Sequence, residues 1–340
     1  MRYYEPRQLR APELFGEYWI NGDPISIEDL EGQNVLIFFW DYSSAKCLDL
    51  LPLINTWFER YSEYGLAIIG VHSPEYKFGR EYDNVANAVK RLEIRYPIVL
   101  DSHLRLWSIY DNRVWPTIAL IDKDGYLRSL QEDEIAVEML ERTIQSLLIE
   151  SGYRGVLPPF EFASGRQSHF HGAVRQHIGE IELGYVRGAI GNVGGFGLEA
   201  SAHYDDLGMH LQGRFYLDGT WYSDREMIRY EGSQDEKGSV CLRYQAQVVS
   251  VILENRSDGS LVVVLYQDGE YVNKGSFGRD VLYGEDGKSY ILVDKPRLYH
   301  LIRNPDVEDH ELKIETSSLN LVAYSFSFGM VPFDHVVSRN

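Results

Sequence analysis

The run NVLIFFW (34–40) holds no polar residue after Asn34. So short a strand without polar alternation has to be covered on both faces, and chains achieve this by packing helices on either side of a largely parallel sheet. The residues that follow fit that plan. Beyond the bend DYSSA, the stretch AKCLDLLPLINTWFERYSEYG places Leu50, Leu51, Ile54, Trp57, Phe58 and Tyr61 at helical spacing, and Gly65 ends it. LAIIGVH (66–72) is a second buried strand, and NVANAVKRLEI (84–94) puts Val85, Ala88, Val89 and Leu92 on one helix face. YPIVLD (96–101) and TIALID (117–122) are further strands, DKDG turns into YLRSL, and AVEMLERTIQSLLIES (136–151) is a closing helix. The order β-α-β-α-β-β-α predicts an α/β sheet with crossover helices and a hairpin at one edge.

The pattern changes after Gly152. Residues 152–205 are rich in Gly, Pro and His without a sustained period (YRGVLPPFEF, GAIGNVGGFG) and are read as a long connection with room for a short strand or two. From 206 to 340 the signals are strands alone. In SVCLRYQAQV, Val240, Leu242, Tyr244, Ala246 and Val248 alternate with Ser239, Cys241, Arg243, Gln245 and Gln247, as in a half-buried antiparallel strand. Several such strands between Gly, Asp and Asn turns predict an all-β sandwich of the jelly-roll, galactose-binding-like kind. The expected organisation is therefore a first domain over 1–151, a connection over 152–205 and a sandwich over 206–340.

Charge narrows the partners. Acidic residues outnumber basic ones 51 to 33, a net charge of -18, which repels phosphate backbones and anionic lipid, so neither nucleic acid nor membrane is expected. No apolar run is long enough to cross a bilayer, and MRYYEPRQLRAPEL lacks the apolar core of a secretory leader. Cys47 and Cys241 are the two cysteines, too few for a disulfide framework or a cysteine-rich zinc site. A reducing cytoplasm is the expected compartment, and no cofactor is expected.

Cys47 carries the candidate chemistry. It falls in the first turn of the first helix, where unpaired N–H groups and the helix dipole favour a thiolate, and Lys46 beside it adds positive charge. Ser44, three residues earlier, shares that helix start. At this bend the chain resembles the thioredoxin-like fold, and over its whole length it is similar to the DipZ-type thioredoxin-like proteins, which join such a domain to a C-terminal β-sandwich. FWDYSSAKC (39–47) lies where that family has FW-T-Y-S/T-C-I-N followed by Cys or Trp, with Pro52 at a helix kink five residues on. GVHSPEY (70–76) matches GVHTPEF at His72, Pro74 and Glu75, and the segment from Tyr96 matches at Pro97, Asp101, Trp107, Asn112, Trp115 and Pro116. KPRLYHLI (295–302) and AYSFSFG (323–329) resemble two signatures of the family's sandwich. The resemblance implies a cis-proline at Pro116 facing the thiol bend, with Trp40, Tyr42, Asn112 and Trp115 walling the site and a thiol or disulfide protein as partner.

Two departures bear on activity. Ser44 stands where the attacking cysteine belongs, and a hydroxyl cannot perform thiol–disulfide exchange. Phe38 stands where many thioredoxins carry a buried, proton-shuttling carboxylate. Ser44 also reads as a helix N-cap and Cys47 as a buried, inert thiol. Alternatively, Ser44 and Cys47 imitate the Ser/Thr-x-x-Cys of peroxiredoxins, in which the cysteine becomes a sulfenic acid; Trp40 then replaces the expected proline, and Arg113 is displaced from the place of the active-site arginine. His72 and Glu75 are either an acid–base or binding pair beside the thiol or a locally tied histidine. The tryptophans read equally as packing.

Elsewhere the signals are weaker. His169, His171 and His177, with His203 and His210, lack an acidic ligand at a telling spacing and are read as solvated, so no metal site is assigned. Cys241 is read as a bystander. GNVGGFG (191–197) lacks the lysine and flanking elements of a phosphate loop, and the aromatics of RFYLDGTWYSD (214–224) could stack on sugar rings. Two functions are thus open. One is a redox-family protein with a single active-site thiol doing thiol–disulfide or peroxide chemistry; the other is a non-catalytic scaffold recognising a protein or carbohydrate.

Overall fold

The structure, a computed structural model, describes residues 2–4, 8–161, 176–233 and 235–330. They form two compact units, one built by the described residues up to 161 and the other by those from 176.

The first unit is a mixed sheet with helices. Its strands are β1 (Arg2–Tyr3), β2 (Trp19–Ile20), β3 (Asn34–Trp40), β4 (Leu66–His72), β5 (Ile98–Leu100), β6 (Thr117–Ile121) and β7 (Leu127–Glu132), in the order β1-β7-β6-β3-β4-β5-β2. β3, β4 and β5 run parallel, β6 is antiparallel to β3, and β7 is antiparallel to β6 and so runs in the direction of β3 again. Val35, Ile37 and Phe39 point to one face of β3 and Leu36, Phe38 and Trp40 to the other, all at 0% exposure, which is why the strand shows no polar alternation. Helix α1 (Ala45–Tyr61) leads from β3 to β4, α2 (Tyr82–Arg91) from β4 to β5, α3 (Arg105–Ile109) from β5 to β6, and α4 (Val137–Glu150) follows β7. α1 buries Leu50, Leu51, Leu53, Ile54, Trp57 and Tyr61, each such side chain contributing roughly 1.5–3 kcal/mol. A 3-10 turn continues α1 and closes at Gly65, whose φ of 97° requires glycine.

Two features of this unit departed from expectation. Helix α3 and the two-residue edge strands β1 and β2 are too short to display a period, and nothing in the sequence signals them.

The second unit is all-β and antiparallel. Its strands are β8 (Gln176–Glu182), β9 (Ser201–Tyr204), β10 (Phe215–Ser223), β11 (Ile228–Tyr230), β12 (Gly238–Gln245), β13 (Val248–Asn255) and β14 (Leu261–Gln267). β15 (Glu270–Tyr271), β16 (Leu282–Tyr283), β17 (Ser289–Val293), β18 (Arg297–Arg303), β19 (Asp309–Thr316) and β20 (Leu321–Met330) complete it. The path runs β16-β17-β14-β19-β12-β10-β11-β20-β13-β18. β10 is the corner between two sheets: Phe215–Asp218 pair with β12, whereas residues 219–223 pair with β9 and β11. Gly219 makes the turn possible, with a φ of 88° and a position where a Cβ would sit 3.1 Å from the Lys237 carbonyl oxygen. Leu217, Val240, Leu242 and Ile314 from one sheet pack in a single core with Val249, Val251, Ala323 and Phe326 from the other.

The connection expected over 152–205 is shorter than that, because β8 and β9 lie inside it and belong to the second unit. The two strands fill the room left there for a short strand or two, and the position of β8 is obscured because Gly179 (φ 144°) interrupts its alternation, opposite a register shift between Phe328 and Gly329 of β20. The segment 214–224, read as an aromatic turn for sugars, is mostly strand β10, with Tyr216 and Trp221 buried. His169 and His171 lie outside the described residues, and His177 falls in β8. Among the described residues no helix is long and apolar enough to cross a membrane.

Candidate functional site

The candidate site forms where β3 and β4 end and β6 begins. Trp40 registers with His72, and Phe39 with Thr117, so Trp40, His72 and Pro116 meet at one end of the sheet, the end where α/β sites form. The chain leaves Trp40 through a bend whose Ser44 N–H donates to the Asp41 carbonyl (3.2 Å), and then enters α1. Ser44 is the N-cap: its extended backbone (φ −73°, ψ 120°) turns Oγ back to accept from the Cys47 N–H at 3.5 Å.

Cys47 is fully buried and its thiol is pushed up to about 12, chiefly by desolvation. Hydrogen bonds from the Asp41 backbone and the Ser44 hydroxyl pull the other way and lose. The thiolate expected from the helix start is therefore corrected to a protonated thiol, because removing the sulfur from water outweighs the dipole. Lys46 does not assist the sulfur; its ammonium pairs with Asp133.

Behind the bend lies a carboxylate that escaped the sequence reading. Asp41, 0% exposed, accepts from the Ser43 N–H and hydroxyl on Oδ1 (2.7 Å each) and from the Glu75 N–H on Oδ2 (2.6 Å). The signal was present in Asp-x-Ser at a strand end, the composition of a side-chain-closed turn. His72 stacks on Tyr42 (5.3 Å, 19°) and meets Trp40 edge-on (5.3 Å, 85°). Its Nε2 receives the Tyr42 N–H at 3.5 Å and stands 3.9 Å from Asp41 Oδ1, beyond hydrogen-bond reach. Desolvation lowers its pKa to about 4, against the pull of Asp41. The imidazole is thus neutral at pH 7, and the carboxylate that pulls on it is that of Asp41.

This has a measurable consequence. The unfolded chain takes up a proton near pH 6.5 that folded His72 refuses until about pH 4. The unfolded state therefore binds more protons in that window, and stability falls as pH falls through it, by about 3 kcal/mol. Urea unfolding at pH 7 and pH 4.5 should show this loss, and His72→Phe should flatten it. An unchanged pH slope in the variant would refute the assignment.

The remaining wall is built on Asp101. Its carboxylate accepts from the N–H groups of Arg105 (2.7 Å), Leu106 (3.1 Å) and Trp107 (2.8 Å) and from the Ser73 hydroxyl (3.1 Å), while burial raises its pKa. Trp107 stacks on Trp115 at 4.1 Å, and Trp115 Nε1 donates to the Ser73 carbonyl (2.8 Å). The Trp115–Pro116 bond is cis. Asn112 is buried with both amide atoms unpartnered. Of the residues singled out from the sequence, Ser44, Glu75 and Trp115 keep surface; Trp40, Tyr42, Cys47, His72, Asn112 and Pro116 lie inside. Arg113 is directed outward, paired with Asp111 at 3.4 Å.

Fold and bend together define a thioredoxin-like protein. Residues 10–130 match the AhpC/TSA family, and residues 179–329 match the thioredoxin-like C-terminal domain. The chain belongs to the DipZ-type thioredoxin-like proteins. It is 32% identical over 266 residues to Protein DipZ of Mycobacterium tuberculosis, covering 76% of this chain and 36% of that protein, so it spans about a third of the length of those relatives. It is 30% identical over 142 residues to the thiol-disulfide oxidoreductase YkuV of Bacillus subtilis, covering 41% of this chain and 95% of the relative. Among solved structures, a thioredoxin-like protein in its oxidized form matches at 30% identity and a TM-score of 0.39, covering 42% of this chain and 96% of that one.

Proposed function

We propose that this chain is a thiol-redox protein that works with one sulfur, Cys47, on thiol-containing protein partners. The observation that carries the reading is the capped bend: a hydroxyl, Ser44, holds the N-cap and accepts from the N–H of Cys47, whose thiol is the single sulfur of the bend. Relatives named as thiol-disulfide oxidoreductases, YkuV and ResA, support disulfide exchange as the reaction class. In that reaction Cys47 gives up its proton, its sulfur bonds one sulfur of a partner's disulfide, and the other partner sulfur leaves as a thiolate. An external thiol then attacks the mixed disulfide, returning Cys47 to the thiol and carrying the partner's sulfur away in a new disulfide. A thiol with its pKa at about 12 makes little thiolate at neutral pH, so the bend has to open for exchange to run.

The AhpC/TSA match favours a second reading, in which peroxide oxidises Cys47 to a sulfenic acid and leaves as an alcohol or water. Cys47 holds its proton and Arg113 pairs outward with Asp111, so this reading ranks behind exchange. A reducing cytoplasm suits both, since Cys47 and Cys241 are free thiols. We read the second unit's two sheets as a jelly roll.

The test is alkylation read separately at Cys47 and Cys241 by mass spectrometry. Three pKa units above a free thiol, native Cys47 should label roughly a thousandfold more slowly at pH 7 than in the unfolded chain. It should still accumulate a mixed disulfide with a small disulfide reagent. A native Cys47 that forms none, while the unfolded chain does, would make the thiol purely structural.

A further inference from the structure

The second unit holds a cluster that the redox reading does not use. Cys241, on β12, registers with Lys313 of β19 and Tyr216 of β10, and Glu311 is two residues along β19, opposite Arg243. Directly paired strand residues and their second neighbours share a face, so Cys241, Tyr216, Glu311 and Lys313 lie together on the outer side of the sheet. That side should be wet, yet Cys241 is 2% exposed. The segment 205–214 covers it: the Leu211 N–H donates to the Tyr216 hydroxyl (3.0 Å), and the His210 ring lies against Tyr216 at 4.6 Å. His210 is consequently not solvated, as the sequence suggested; its side chain is 4% exposed. His203 is the solvated one, at 61%.

Around His210 three groups converge. Nδ1 stands 3.4 Å from Cys241 Sγ and 2.7 Å from Glu311 Oε2. Nε2 stands 2.7 and 2.9 Å from the two oxygens of Asp206, whose Oδ1 is held in turn by the Gly208 N–H (2.9 Å). An ion pair with two carboxylates would account for His210 but not for a buried thiol brought to the same ring nitrogen. We propose that Cys241 Sγ, His210 Nδ1 and a Glu311 oxygen are the ligands of a zinc-class transition metal ion, with Asp206 orienting His210 through Nε2.

The donor set selects the ion. A thiolate, an imidazole and a carboxylate suit zinc or cobalt, whereas calcium and magnesium take oxygen ligands. Around tetrahedral zinc, sulfur and nitrogen ligands lie roughly 3.5 Å apart, and the sulfur–nitrogen separation here is already of that size. Glu311, with 40% of its side chain exposed, has room to move outward and admit the ion, and leaves the fourth position to water. A carboxylate on the far nitrogen of a ligating histidine is the usual outer support of such sites. Lys313 on the same face is paired with Glu315 at 3.3 Å. On binding, the metal–sulfur bond replaces the S–H bond and the thiol proton leaves to solvent.

The test uses the full chain, stripped with chelator, then titrated with zinc against a chromophoric chelator and with cobalt by absorption. One equivalent should bind, and cobalt should show thiolate-to-metal charge transfer. That absorption should persist in Cys47→Ser and vanish in Cys241→Ser, and Asp206→Asn should weaken zinc by about 10- to 100-fold. Thermal melts check that the variants fold; His210→Gln carries the test should Cys241→Ser fail to. Absence of stoichiometric zinc, or a charge-transfer band that survives both Cys241→Ser and His210→Gln, would overturn the site.

Discussion

Ser44→Cys is expected to raise protein-disulfide reduction by roughly 10²–10³-fold, from near background to ready turnover. Ser44 is half-buried at the helix start, while Cys47 lies wholly inside. A sulfur at the cap would face unpaired N–H groups and the dipole without the desolvation that dominates Cys47, and thiols so placed have pKa values of roughly 3.5–7.5. At neutral pH such a thiol is about half ionised, against about one part in 10⁵ for one near 12. Its lower intrinsic nucleophilicity, with a Brønsted slope of about 0.4–0.5, returns around two of those powers of ten and leaves the stated gain. Cys47 then becomes the resolving thiol it is placed to be, three residues along the same helix start. Losing the serine cap costs only about 1 kcal/mol. Insulin reduction measures the gain, and loss of two hydrogens by mass measures the disulfide. An introduced thiol that labels freely but never joins Cys47 would show that the bend does not hold two sulfurs in exchange geometry.

That reversal could not be read from the sequence, although its frame could. Strand β3, helix α1 and the stop at Gly65 were legible because burial on two faces, a 3.6-residue period and a left-handed backbone each leave a local mark. The ionisation of Cys47 has no local mark. Position at a helix start argues for thiolate, and only the folded surroundings, Asp41 and Tyr96 among them, remove the water that a thiolate needs. Cys241 fails in the same way. Alternation along β12 placed it correctly on the polar face, but the segment that covers this face and inserts His210 arrives from elsewhere in the chain. Helix α3 was missed for a related reason. Leu104 at its start has a φ of 56° and no capping side chain of its own, so the usual signal is absent. The cap comes from Asp101, which also accepts from Ser73 on the neighbouring strand end.

Asp101→Ala should accordingly cost the first unit about 3–5 kcal/mol. The substitution takes the acceptor from three backbone N–H groups and one hydroxyl, and each buried donor left unpaired costs roughly 1–3 kcal/mol. Part of that sum is returned, because the carboxylate itself is desolvated, as its raised pKa records. Asp101→Asn keeps one acceptor oxygen and should lose about half as much. Denaturant unfolding followed by tryptophan fluorescence reads the change at the Trp107–Trp115 stack. A loss below about 1 kcal/mol would mean that water or a neighbouring group satisfies the donors. The consequence for the thiol runs through Ser73. Its hydroxyl donates to Asp101, its carbonyl accepts from Trp115, and its N–H donates to the Trp40 carbonyl at 3.0 Å, where the bend begins. Freed on the Asp101 side, this connection should open more often, and Cys47 should label faster in Asp101→Ala at denaturant concentrations well below the unfolding midpoint. Labelling that tracks only global unfolding would confine the carboxylate to capping α3 and separate the tryptophan wall from the thiol.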